Sequence, residues 1–202
     1  MPQQKKYFQQ LGEASGIAAP IVAFTCVLTA IASYPEFSWT NNALSDLGII
    51  SGITGPVFNF GLYCSGLFVL KFAMFGLFKY LGSWMGKIGA LSFAATGVAL
   101  MSIGFFPENI APYHYLFSVA FFVLLPISLF IITGAFAFKR QKKRALLTLL
   151  TAVAAATPWI VYFIVHYVNG LAIPEFVSAL AGSVWVIVLS YKMLKAKPQA
   201  KT

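Results

Sequence analysis

Six long apolar runs, at 16–34, 54–78, 85–105, 113–138, 145–168 and 172–194, leave room for little else in this chain. Each is close to or above the roughly 20 residues that cross the hydrocarbon core of a bilayer. In that medium every backbone N–H and C=O needs a partner within the protein, so the runs are helices. Only 9% of the 202 residues are charged, against about 25% in soluble domains. A surface that poor in charge cannot face water. The expected fold is all-α: a polytopic membrane protein, one domain over residues 1–202, a bundle of six transmembrane helices.

Details within the runs follow from the same reasoning. Residues 1–15 are polar and read as a tail or interfacial turn, which puts Pro20 in the first turn of the first helix, where proline is tolerated. Ala30-Ile31-Ala32 resembles a small-residue cleavage site, but the run before it is longer than a usual signal peptide core and reads as a span. Cys26 and Cys64 lie inside apolar runs and read as small packing residues, not a disulfide framework. Lys71 is within snorkelling reach of the helix end at Lys79. Pro126 and Pro158 are expected to bend their helices.

Charge then orients the bundle. With six spans the connections alternate between two sides, and all fourteen Lys and Arg residues fall on the side of the termini, Lys71 by snorkelling. The opposite side carries Glu36, Asp46, Glu108 and Glu175; Glu13 alone joins the cations. Cationic loops stay cytoplasmic, so both termini are expected inside, in a multi-pass protein of the cell membrane. The net charge of +9 is then a basic face set against anionic headgroups. A nucleic-acid partner is excluded, because no basic domain interleaved with aromatics is present.

The longest polar interruption runs from Tyr34 to Gly48, and scarce chemistry gathers on its side. Each connection there contains a Pro-Glu pair: Pro35-Glu36, Pro107-Glu108 and Pro174-Glu175. Proline followed by an acid suits the first turn of a helix, which accounts for Glu36 and Glu108 without function and leaves Glu175 open. Both histidines, His114 and His166, lie on this side with Asp46 and Ser45.

Three readings of these residues stand. In a hydrolase or transferase site, a histidine is the general base, Asp46 orients it, and Ser45 or water attacks. Glu175, Glu108 and Trp39 then line the binding pocket. A metal site is the weaker reading, since no HExxH or paired-histidine spacing is present; no metal is assigned and no cofactor is indicated. In the third, each residue caps its own helix.

Ala43-Leu44-Ser45-Asp46-Leu47-Gly48, Gly104-Phe105-Phe106-Pro107 and His114 together resemble the six-helix membrane family catalogued as domain of unknown function 998. That resemblance implies a multi-pass membrane protein without a settled activity, and points to Ser45, Asp46, Pro107 and His114 as its signature positions. The leading functional expectation is an outward-facing polar site for a lipid or lipid-linked substrate. The alternatives are an accessory subunit or assembly factor with a membrane-protein partner, and a small transporter or channel.

Overall fold

A computed structural model of the chain describes residues 2–195, with side chains described from Tyr7 onward. Lys197 and Lys201 of the predicted basic tail lie outside the described residues, as do the side chains of Lys5 and Lys6. The described residues contain no strand. Six helices are long and apolar enough to cross a membrane. They are α1 (Pro2–Ala32), α2 (Thr54–Leu81), α3 (Trp84–Phe105), α4 (Tyr113–Phe138), α5 (Lys142–Val165) and α6 (Ala172–Lys195).

Each helix packs on its neighbours in sequence, and α6 closes the ring against α1. The outer surface is apolar all round: Phe60, Phe105, Phe163 and Ile164 are among many large side chains left exposed. In water such continuous apolar area drives aggregation; in a bilayer it is the solvated face. The chain is a multi-pass membrane protein.

Two expectations need correction at the start of the chain. Residues 2–15 are not a tail but the first turns of α1. They are held by close packing: a Cβ on Gly12 would lie 2.7 Å from the backbone nitrogen of Gly76. Glu13 is buried there and accepts a hydrogen bond from Gln9 Nε2 at 2.9 Å. Pro20 is consequently in the middle of α1, not its first turn.

Opposite Gly12, residues Phe72–Leu77 of α2 form a π-helical turn. This turn carries Phe72 and Gly76 against α1, and the helix ends at Gly82, whose φ of 64° favours glycine. Ser83 then caps α3 by accepting from Gly86 N at 3.2 Å.

Small residues set the remaining crossings. A Cβ on Gly97 would stand 2.8 Å from Leu70 N, so α2 and α3 meet backbone to backbone. Deeper polar groups are paired across helices. Trp185 Nε1 donates to Thr148 Oγ1 at 2.9 Å, and Ser178 Oγ donates to Ala155 O at 2.8 Å. These bonds hold α5 to α6 through the half of α5 before Pro158. Beyond it, Ile160, Phe163, Ile164 and Val165 are exposed.

The even number of spans separates two ends. The described Lys and Arg residues, Lys71 included, lie toward the end at Leu81, Lys142 and Lys195. Lys71 is exposed, with Nζ 5.7 Å from the Phe68 ring. Lys139 Nζ donates to Leu81 O, closing the last turn of α2. Asp46, Glu108, Glu175 and both histidines lie toward the other end. These are called the basic end and the acidic end below.

Candidate functional site

The connection from α1 to α2 is a folded cover over the acidic end. Its turns are built by side chains suited to that task. Ser38 N donates to Asn42 Oδ1 at 2.9 Å, and a short 3₁₀ helix follows at Ser45–Ile49. Asn59 Nδ2 of α2 donates to Gly48 O at 2.8 Å, and Ser33 Oγ meets Thr54 Oγ1 at 2.8 Å.

The cover is also tied to the start of α6. Thr40 O accepts from Asn169 N at 3.0 Å and Gly170 N at 2.8 Å, and Asn42 O accepts from Ala172 N at 2.9 Å. Gly170 is required: a Cβ there would run into the backbone of Asn41 and Asn42.

Three carboxyls meet under this cover. Asp46 Oδ2 accepts from Asn42 Nδ2 at 2.7 Å and from Ala43 N at 3.1 Å. Glu175, in the first turn of α6 and 7% exposed, accepts from Leu44 N at 2.6 Å. Glu108 arrives from the turn between α3 and α4 and feels the charge of Asp46. Its Oε2 is buried and takes no N–H or hydroxyl from the rest of the chain. Burial first, then the neighbouring Asp46 carboxyl, push Glu108 up to about 7. Glu175 feels the charges of both neighbours. No Lys or Arg among the described residues lies at this end.

Below the acids a cavity of about 120 Å³ opens inside the ring. Leu44, Ser45 and Glu175 line its acidic end. Its walls descend along α2 from Phe58 to Val69 and along α6 from Glu175 to Val186, eleven residues in each case. That is roughly 16 Å at 1.5 Å per residue, about half of a hydrocarbon core. The lining is almost wholly apolar. α4 and α6 barely touch, and the half-exposed Ser118, Phe122, Ala179 and Ser183 line the cavity from these two helices. One buried polar atom of the wall is unpaired: Ser65 Oγ, on a residue 1% exposed.

The other predicted site residues are placed as follows. His114 is buried, with Nδ1 2.7 Å from Phe106 O and Nε2 without a partner. No hydrogen bond joins it to Asp46 among the described residues. His166 does not join the acids. It caps the end of α5 with φ 47°, exposed, its ring 5.6 Å from that of Tyr162. The expected His–Asp–Ser relay is therefore not assembled. Ser45 lines the cavity but hydrogen-bonds neither histidine.

Trp39 packs edge-on to Phe176, a lining residue, with centroids 5.1 Å apart. Glu36 and Glu108 both sit in turns and not in helical first turns, so that account of them fails; Glu175 alone fits it. No group of three His, Cys, Asp or Glu suited to a metal is present among the described residues.

Asn41-Asn42 reads as a turn signal in the sequence, and Asn42 builds that turn; its bond to Asp46, and Asn59 and Ser65, were missed. The asparagines had a signal, as turn formers beside Asp46 or as an amide in an apolar helix. Ser65 had none, since a serine in a transmembrane helix usually bonds its own backbone.

The chain belongs to the family described as Protein of unknown function (DUF998), whose model matches residues 17–192. No curated protein matches the chain, and no solved structure does.

Proposed function

We propose that this DUF998 member binds a lipid or lipid-linked substrate in the intrabundle cavity and performs acid–base chemistry on its head, in the manner of a hydrolase or transferase. One observation carries the reading: a cluster of three carboxyls closes one end of an apolar cavity half a bilayer deep. An amphiphile has that polarity pattern, with its chain among Leu62, Val69, Phe93 and Val186 and its head at Glu175 and Ser45. Entry is lateral, between α4 and α6. With Glu108 raised by burial and by Asp46, Glu108 is the acid and Asp46 the base of the pair. By the positive-inside rule the basic end is cytoplasmic, against anionic headgroups, and the carboxyls face the outer leaflet.

A photoreactive alkyl probe tests the reading in the full-length protein in lipid nanodiscs. Labelling is expected at Val69 and Val186 as well as at the lipid-facing Val98. Filling the cavity with Ala179→Phe removes the first two and spares the third. Unchanged labelling of Val69 and Val186 in that variant would sink the proposal.

A further inference from the structure

The geometry points to a single-chain amphiphile with a protonated amine head as the occupant of this cavity. The inference rests on the amphiphile-binding reading above and adds the chemical class of its ligand.

Size fixes the chain number. A volume of about 120 Å³ spread along roughly 16 Å is one alkyl chain wide. Two chains side by side do not fit between Phe58, Phe93, Phe121 and Phe122, which narrow the walls.

Charge fixes the head. Glu175 lines the cavity, and Asp46 and Glu108 lie close enough to act on it. The nearest groups able to carry positive charge are the histidines. His114 is committed through Nδ1 to Phe106 O, and His166 is exposed at the end of α5 with its ring against Tyr162. A phosphate head would meet carboxyls whose net charge is negative even when some are protonated, and no Lys or Arg among the described residues at this end offsets it. An ammonium supplies three donors to acceptors that the fold leaves short of them. Asp46 Oδ2 and Glu175 Oε2 have N–H partners, whereas Glu108 Oε2 has none.

The cavity carries its own sign of an occupant, independent of the acids. Ser65 Oγ lies seven residues below Phe58 along the wall, buried and unpaired. The other buried hydroxyl of the wall, Thr96, is satisfied by Ser92 O at 3.2 Å. A dry apolar void would leave Ser65 uncompensated, which native cores avoid. A ligand whose chain carries a polar atom at that depth satisfies it, whereas the plain alkyl chains of the competitors below leave it unpaired and report on the head alone.

The test is competition against the photoreactive alkyl probe in full-length protein in phosphatidylcholine nanodiscs. The competitors are a long-chain primary alkylamine, the alkyl phosphate and the alcohol of equal length. The amine is expected to displace the probe from Val69 and Val186 at about a tenth of the concentration needed by the other two, and Asp46→Asn with Glu175→Gln is expected to erase that advantage. Equal or better competition by the phosphate overturns the assignment. So does an amine advantage that survives in the double variant, since it then reflects partition into the bilayer. If the probe labels the cavity and no competitor prefers the amine, the head assignment alone falls. If the probe never labels the cavity, the amphiphile reading falls with it.

Discussion

Replacing Glu175 separates what its carboxyl does for the fold from what its burial costs. The side chain accepts from Leu44 N at 2.6 Å in a buried position and so fastens the cover to α6. Glu175→Ala removes that acceptor and leaves a buried N–H without a partner, a loss of about 1–3 kcal/mol. For a chain of this size that corresponds to a midpoint roughly 2–12 °C lower. Glu175→Gln keeps an oxygen for Leu44 N and offers N–H donors toward Asp46 and Glu108, without a carboxyl that must be desolvated. It is expected to unfold at or above the wild-type midpoint. Thiol-reactive dye reports the transition, because Cys26 and Cys64 are free and lie within the helices. If Glu175→Ala is as stable as wild type, or Glu175→Gln falls as far as Glu175→Ala, the argument that this carboxyl is a structural acceptor held at a desolvation cost is wrong.

Glu108, raised from its ordinary 4.5 to about 7, makes stability pH-dependent with a definite sign. Between those values the folded protein holds a proton that the unfolded chain has released, so stability falls as pH rises from about 4.5 to 7; a series of unfolding midpoints across this range should lose that slope in Glu108→Gln. The two histidines should behave oppositely in the same assay. His114→Ala strips Phe106 O of its ring partner inside the protein and costs about 1–3 kcal/mol, whereas exposed His166, at φ 47°, should accept glycine within about 0.5 kcal/mol.

The helices were legible because lipid leaves the backbone one local solution, and the two ends were legible because cations and acids alternate along the chain. What escaped depends on neighbours. Residues 2–15 look like a polar tail until Gly12 and Gly16 are seen against the π turn of α2, and no local signal announces that turn. The α5 terminus was placed at 168, but His166 takes a left-handed conformation and stops the helix at Val165. For the site, scarcity of charge singled out the acidic end. It did not distinguish Glu108, which reaches Asp46 from a turn, from His166, which caps its own helix. Only the path of the cover decides which scarce residues meet.

That path also argues against a purely structural role for the cluster. Fastening the cover to α6 takes the backbone bonds at Thr40 and Asn42 and one acceptor for Leu44 N. An uncharged glutamine or asparagine supplies such an acceptor at less cost in a buried place. Three carboxyls gathered with no Lys or Arg among the described residues there weaken the same junction, chiefly through desolvation. Departures of this kind from the most stable arrangement concentrate where chemistry or binding needs them. The cavity beneath gives the departure a physical purpose. On the proposed reading, charge gathered at the mouth of an apolar space half a bilayer deep would discriminate between heads that the apolar wall alone would accept equally.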